Sequence, residues 1–204
     1  FHEVAGRPII VHSIEAFSSH KLITETRVVI HPQDVKAYNE AISIFTTEEN
    51  IIGNPIIAGK TRQESVRNGL EALAQGTYPD AVLIHDAARP LVSHKLIDRI
   101  LDELHNSEAV IAALPITDTL KEATPSKNVR KTIDRTGLFR AQTPQGFHFK
   151  SILEAHRSCS DVNKMTDDAA VAEQAGITIK LIDGDEDTMK ITIPADLERA
   201  EEIF

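Results

Sequence analysis

The 204-residue chain is poor in aromatic residues, cysteine and positive charge, and each shortage argues against a class of function. Tryptophan is absent and aromatic residues make up only 4%, so a stacking platform for single-stranded nucleic acid is not expected. The net charge of −9 argues against a polyanion spread over a basic face, because such binding needs a concentrated positive patch. We therefore expect no nucleic-acid partner, although a few local cations suffice for one small phosphorylated substrate.

Long apolar runs are also lacking, and Cys159 is the lone cysteine. A lone cysteine forms no internal disulfide and fits a reducing compartment. No run approaches the roughly 18 apolar residues of a membrane span. The residues from Phe1 onward lack the basic leader and apolar core of a signal peptide. We expect a cytoplasmic protein with no membrane partner.

What the chain does contain is short apolar runs that alternate with helical periodicity. This pattern predicts a single α/β domain with a mostly parallel sheet. Helices are expected to begin near Pro8, Asp34, Ser93 and Pro194. Strands are predicted at Val28–Ile30, Ile51–Ile57, Ala81–Ile84, Ala109–Leu114 and Ile177–Leu181.

The segment from Pro115 to Gly137 breaks this rhythm. It is polar, carries β-branched residues and is too long for an ordinary connection, so it predicts a protruding hairpin or arm. Asp134–Arg135 and Thr143–Gln145 follow where the arm rejoins the sheet, and taken alone they are typical of turns.

Ligands of open α/β sheets bind beyond the carboxyl ends of the strands. Polar clusters follow the apolar runs at these points, and we expect one site to collect them. The clusters are Gly59–Arg62, His85–Pro90, Thr117–Thr119 and Asp187–Lys190.

Each cluster has a functional and a structural interpretation. Asp86 suits Mg²⁺ or sugar hydroxyls, or it caps the following turn. For His85 a packed, hydrogen-bonded ring is favoured over a metal ligand. Arg89, held extended by Pro90, suits either a phosphate or a surface salt bridge. Lys190 suits a phosphate, or it is a solvated cation.

Two further motifs have simpler explanations. The run from Gly53 to Thr61 resembles a phosphate-cradling loop, but its glycine spacing is one residue too long and Pro55 removes an amide. A turn into a helix N-terminus is still a place where amides can meet a nucleotide. Thr166–Asp168 reads as a helix N-cap with acidic residues in the first turn.

Together these motifs resemble the 2-C-methyl-D-erythritol 4-phosphate cytidylyltransferases of non-mevalonate isoprenoid synthesis. Ile84–Pro90, reading IHDAARP, carries the clearest likeness, and the resemblance spans essentially the whole chain. The other matching segments follow in family order: Ala58–Val66, Thr117–Lys121, Ile133–Leu138, Gln142–Gln145, Thr166–Ala169 and Met189–Leu197.

The resemblance implies a Rossmann-like, doubly wound domain over residues 1–204, whose β-arm at about 115–137 interlocks two subunits of a homodimer. It implies transfer of CMP from CTP to methylerythritol phosphate with release of pyrophosphate. The backbone of Ala58 and Gly59 and the side chain of Ser65 would recognise cytosine, with Arg62 supporting their loop. Asp86 would lie near the ribose, a catalytic Mg²⁺ and the acceptor.

The remaining roles implied by the resemblance concern the acceptor and the reacting phosphate. Arg89, Thr143 and Lys190 would line them, with Lys190 also contacting the nucleotide. Thr119 and Arg135, on the arm, would reach the acceptor in the partner's site. Lys190 and Arg135 would be catalytic.

One departure from the family pattern lies at the front. Family members begin with a strand and a glycine-rich loop bearing an arginine, followed by Pro-Lys-Gln, before the region that matches Phe1. We expect these parts in a longer protein, because Val4–Pro8 continues the family pattern without a break. Without them, the 204 residues would have little activity.

Two alternatives stay open on sequence alone. A cytidylyltransferase for ribitol 5-phosphate or another polyol phosphate would use the same scaffold, although Ala87-Ala88 favours methylerythritol phosphate. A non-catalytic nucleotide-binding or dimerisation module would also accommodate the missing loop.

Overall fold

A computed structural model describes residues 1–45, 52–160 and 165–204. The helices within these ranges are α1 (Ile9–Ser18), α2 (Val35–Ile42), α3 (Arg62–Leu73), α4 (His94–Glu103), α5 (Phe149–Ser158), α6 (Asp168–Gln174) and α7 (Pro194–Ile203). The strands are β1 (Glu3–Val4), β2 (Arg7–Pro8), β3 (Val29–Ile30), β4 (Ile56–Ile57), β5 (Ala81–Ile84), β6 (Ala109–Pro115), β7 (Leu120–Ala123), β8 (Val129–Ile133), β9 (Phe139–His148) and β10 (Ile179–Asp183). Ile51, predicted in a strand, lies outside the described residues.

The helix starts follow from local chemistry. Ser93 accepts a hydrogen bond from the amide of Leu96 and caps α4, as its position predicted. Pro194 is the first residue of α7, where its missing N–H costs nothing. Asp167 caps α6 by accepting from the amide of Ala170. These caps place the polar residues before each helix at the sheet edge.

The central sheet has the strand order β10-β6-β9-β5. Strand β6 pairs parallel with β10, whereas β9 is antiparallel to both β5 and β6. Strands β5, β6 and β10 therefore share one direction and β9 opposes them. β9 runs backwards because the chain leaves β6 for the arm and re-enters the sheet at the same end. A separate parallel pair joins β3 to β4.

Strand β9 corrects the interpretation of Thr143–Gln145 as a turn. These residues lie inside β9, the longest strand described. The pairing of β6 with β9 shifts register between Ile111 and Ala113, so Gln142, Thr143 and Pro144 fall at an irregularity in the ladder. A bulge tolerates a proline that an unbroken central strand would exclude. The local turn signal was therefore real, but it marks a bulge.

Helices cover both faces of the sheet, as a doubly wound fold requires. One apolar cluster joins α3, α5 and α6 to the sheet through Leu70, Phe147 and Val171. A second joins α1 and α4 to the other face through Phe17 and Ile97. Successive residues of β5 alternate between the two clusters, although these side chains are only half-buried, and in β6 Ala109 joins the first cluster while Val110 and Ala112 join the second.

The predicted arm is a hairpin. Strands β7 and β8 pair antiparallel, from Leu120 opposite Ile133 to Ala123 opposite Val129. They form a two-stranded sheet of their own, and Val129 is 63% exposed. Within the described ranges, no helix has the length and apolar character needed to cross a membrane.

Candidate active site

A tight loop joins β4 to α3 at the carboxyl end of β4. Thr61 caps the helix by accepting a hydrogen bond from the amide of Glu64 over 3.1 Å. The Gly59 amide donates to Ser65 Oγ over 3.1 Å, and that hydroxyl donates to the Thr61 carbonyl over 2.8 Å. The Lys60 amide donates to Glu64 Oε2 over 2.6 Å. The side chains of α3 therefore close the loop onto the helix N-terminus.

Gly59 is required by this closure. A Cβ added there would overlap the Cβ of Glu64 and lie 3.0 Å from its backbone carbonyl carbon. Before it, the Ala58 amide donates to the Ile30 carbonyl over 2.8 Å, which extends the ladder between β3 and β4. The loop is thus anchored at both ends.

Asp86 follows β5 and gathers three cations. Lys190 Nζ donates to its Oδ2 over 3.0 Å, Arg62 Nη2 lies 3.7 Å from its Oδ1, and Arg89 Nε lies 3.9 Å from its Oδ2. Burial by itself raises the pKa of Asp86, but the Lys190 hydrogen bond and the surrounding positive charges outweigh it and lower that pKa. The site therefore presents an ionised carboxylate with three cations around it.

Thr143 and His85 hold the backbone of Asp86 in place. The Asp86 amide donates to Thr143 Oγ1 over 3.0 Å, and that hydroxyl lies 3.1 Å from His85 Nδ1. His85 Nε2 lies 3.1 Å from the Arg89 carbonyl, which can only accept, so Nε2 carries the proton and Thr143 donates to Nδ1. Burial lowers the pKa of His85 to about 4, which keeps the ring neutral. The packed, hydrogen-bonded role expected of His85 is confirmed.

Arg89 is mostly buried, with 13% of its side chain exposed, so it is not the surface salt bridge considered from sequence. Its Nη1 donates to the Thr188 carbonyl over 2.8 Å. Burial lowers the pKa of the guanidinium, with Asp86 opposing the shift. Next to this contact, the Ile191 amide donates to the Ala88 carbonyl over 2.8 Å. The two loops are thereby tied together, which positions Lys190 beside Asp86.

Comparison with known proteins identifies the family of this chain. The model of IspD, 2-C-methyl-D-erythritol 4-phosphate cytidylyltransferase, matches residues 1–204. The chain belongs to the IspD family.

Its similarity to individual proteins extends over the whole chain. The bifunctional enzyme IspD/IspF of Paramagnetospirillum magneticum is 44% identical over 204 residues, which are 100% of this chain and 51% of that protein. The corresponding enzyme of Rhodospirillum rubrum is 45% identical with the same coverage. The chain therefore spans about half the length of the curated relatives it matches.

Solved IspD structures confirm the Rossmann-like α/β fold. The 4-diphosphocytidyl-2C-methyl-D-erythritol synthase of Anaerococcus prevotii superposes with a TM-score of 0.85 at 28% identity, covering 98% of this chain and 87% of that one. The Francisella tularensis IspD gives a TM-score of 0.83 at 28% identity, covering 98% and 89%.

The fold brings most of the residues suggested by the IspD resemblance to one edge of the sheet. Arg62, Asp86, Arg89 and Lys190 meet there, with Thr143 beneath them. Thr119 and Arg135 do not join them: both are exposed on the arm side, and no hydrogen bond or ion pair in the described part of the chain links their side chains to this cluster.

Sequence reasoning about this IspD chain missed two buried residues. Asp168, with a fully buried side chain, accepts from Arg62 Nη2 over 2.7 Å. Gln145 donates to Asp167 Oδ2 over 2.9 Å and accepts from the Ala169 amide over 3.0 Å. Both residues lie within motifs that carried the resemblance. The local sequence explained Asp168 as part of a helix N-cap and Gln145 as part of a turn. Their contacts with distant residues are seen only in the tertiary structure.

Proposed function

We propose that the protein containing this chain transfers CMP from CTP to 2-C-methyl-D-erythritol 4-phosphate, giving 4-diphosphocytidyl-2-C-methyl-D-erythritol and pyrophosphate. The observation that carries the proposal is Asp86, ringed by Lys190, Arg62 and Arg89 beside the Gly59–Ser65 loop. Fixed cations next to a loop at a helix N-terminus suit a reaction between two phosphate groups.

The loop is the proposed cytosine site. Ser65 Oγ donates one hydrogen bond and accepts another within the loop, so a second acceptor position is left on the hydroxyl. The cytosine amino group is a donor and would complement it. The backbone of Ala58 and Gly59 would supply the remaining contacts, and Arg62, the first residue of α3, would support the loop from one side.

The proposed chemistry needs no covalent nucleophile. An oxygen of the acceptor phosphate attacks the α-phosphorus of CTP, the new P–O bond forms, and the bond to the β-phosphate breaks to release pyrophosphate. Catalysis then consists of positioning and charge neutralisation. Lys190 and Arg89 would bind phosphate oxygens, Lys190 and Arg135 would be the catalytic cations, and Thr143 would shape the acceptor side through Asp86.

Asp86 would be the protein ligand of Mg²⁺ at this site. Among the described residues, no group of three or more His, Cys, Asp and Glu side chains could hold a metal ion, so an all-protein cage is not what the site offers. Mg²⁺ is commonly held by one or two carboxylates together with substrate phosphates, and Asp86 would be that carboxylate. The ion would supply additional positive charge at the reacting phosphates.

The arm is the proposed dimer device. The exposed hairpin of β7 and β8 would carry Thr119 and Arg135 to the acceptor in the partner's site. Each site would then be shared by two subunits. A cytoplasmic location accords with Cys159, a free thiol close to Gln174 Oε1.

Pyrophosphate release by the full-length protein tests the function. With CTP and Mg²⁺, turnover is expected with methylerythritol phosphate and little with ribitol 5-phosphate. Faster turnover with ribitol 5-phosphate would transfer the assignment to that acceptor. Tight calorimetric binding of CTP without turnover on any polyol phosphate would favour a non-catalytic nucleotide-binding module.

A further inference from the structure

A row of titratable side chains runs from the interior to the candidate site. It starts at His156 on α5, whose Nε2 lies 3.3 Å from Asp168 Oδ1. Asp168 Oδ2 binds Arg62 over 2.7 Å, Arg62 lies 3.7 Å from Asp86, and Asp86 binds Lys190 over 3.0 Å. Only the outer part of this row, from Arg62 to Lys190, is assigned a part in the proposed reaction.

Arg62 is divided between two carboxylates, and distance decides between them. Its Nη2 makes a charged hydrogen bond to Asp168 at 2.7 Å, whereas Asp86 at 3.7 Å is beyond hydrogen-bond range. Arg62 is therefore paired with Asp168 and makes no hydrogen bond to Asp86. Burial by itself lowers the pKa of Arg62, but the neighbouring carboxylates, Asp168 foremost, outweigh it and raise that pKa, so the guanidinium stays charged.

Asp168 is held in a fixed position next to Arg62. Its side chain is fully buried on the first turn of α6. That turn is fixed to β9 because Gln145 accepts from the Ala169 amide and donates to Asp167. Such anchoring keeps the carboxylate from following Arg62 if the loop moves.

The inner flank of Asp168 holds it from the other side. His156 is fully buried, and its Nε2 faces Asp168 Oδ1 without hydrogen-bond geometry. Gln63, the residue after Arg62, lies beside the same histidine: its Nε2 donates to the His156 carbonyl over 3.1 Å. The start of α3 is thus docked onto α5 and α6 through adjacent residues.

We propose that Asp168 is a positioning residue of the nucleotide site, holding Arg62 against the Gly59–Ser65 loop and away from Asp86. Released from Asp168, Arg62 would close on Asp86 Oδ1, from which its Nη2 now lies 3.7 Å away, and would leave the loop. The inference rests on the proposed function, since it assigns Asp168 a role in CTP binding.

A double-mutant cycle in the full-length protein tests it. Asp168→Asn is expected to raise the KM for CTP about tenfold, with the KM for the acceptor changed less than about twofold. Arg62→Gln should give a similar increase, and the double variant should be no worse than Arg62→Gln alone. Glu71→Gln is the matched control. It breaks an ion pair between Glu71, on the same helix α3, and Arg157 on α5, and it should leave both KM values unchanged.

The outcomes separate the inference from the function. Multiplying effects in the double variant, or equal increases in both KM values, would show that Asp168 does not act through Arg62. A wild-type protein without turnover would instead contradict the proposed function.

A measurement on the wild type covers the case in which Asp168→Asn does not fold. The Nη protons of Arg62, assigned by comparison with Arg62→Gln, should be resolved in NMR spectra of the guanidinium groups. An averaged, freely rotating Arg62 would overturn the proposal.

Discussion

Lys190 Nζ donates a hydrogen bond to Asp86 Oδ2 over 3.0 Å, although 104 positions separate the two residues in the chain. The contact is held by its neighbours: Arg89 bonds the Thr188 carbonyl and Ile191 bonds the Ala88 carbonyl. Lys190 is nevertheless 46% exposed, so its ammonium group is within reach of a ligand as well as of Asp86. A lysine whose backbone is held in place and whose ammonium group is accessible suits transition-state stabilisation better than structural support.

Lys190→Ala is therefore expected to lower kcat by about 10²- to 10³-fold while leaving the melting temperature nearly unchanged, because the lost group neutralises developing charge. Steady-state kinetics and thermal unfolding of the full-length protein measure both. Lys36→Ala, at a side chain 90% exposed on α2, is the control and should change neither. A loss of stability that parallels the loss of rate would indicate a structural role instead.

Gly59→Ala is expected to weaken CTP binding about tenfold or more, because the new Cβ collides with Glu64 and forces the loop off the start of α3. Gly76→Ala is a matched control: a Cβ there meets nothing within 4 Å, so binding should be unchanged. Calorimetric titration with CTP compares them. Unchanged binding in Gly59→Ala would remove the loop from the nucleotide site.

Mixing two inactive variants tests whether sites are shared. Arg135→Ala and Lys190→Ala subunits should each be poorly active, yet a heterodimer would assemble one intact site from an unmodified arm and an unmodified cluster. Random exchange in an equal mixture should restore about a quarter of the wild-type sites. Pyrophosphate release before and after subunit exchange measures the recovery, and its absence would count against a partner role for Arg135.

Stability is expected to fall with acidification between about pH 6.5 and pH 4 through His85. Its pKa is about 4 in the folded chain and near 6.5 when unfolded, so only the unfolded chain gains this proton across that window. Above pH 6.5 His85 is neutral in both the folded and the unfolded chain, so it does not lower the free energy of unfolding. Below pH 6.5 that free energy declines by up to about 1.4 kcal/mol per pH unit.

Thermal unfolding at stepped pH values detects this effect. The variant His85→Gln removes the titrating ring and should flatten the slope between pH 6.5 and pH 4. The control is His105→Gln, at an exposed histidine, and it should leave the slope as in the wild type. An unchanged slope in His85→Gln would exclude His85 as its source.

Short-range patterns predicted those parts of the fold that depend on nearby residues. Ser93 and Pro194 mark helix starts because a cap needs only the amides of the next turn. Strand β5 was recognisable as a four-residue apolar run, and the arm as a long polar interruption. The family motifs likewise indicated Asp86, Arg89 and Lys190 as site residues, and the structure shows that the three lie close together.

Pairings between distant segments could not be predicted in this way. Thr143–Gln145, which lie in β9, were interpreted as a turn because their residue types have turn chemistry. The direction of a strand depends instead on where the chain re-enters the sheet. Asp168 carried the local signature of an acidic first turn, whereas its partner Arg62 lies 106 positions away.

The sequence by itself indicated the family, most of the helices and strands, and Asp86, Arg89 and Lys190 as candidate site residues. Tertiary structure alone decided that Arg62 bonds to Asp168 and lies beyond hydrogen-bond range of Asp86. It also decided that the Thr143 hydroxyl turns inward to His85. The physical reason is range: capping and periodicity act over one helical turn, whereas a charge's partner is chosen by distance and burial once the sheet has closed.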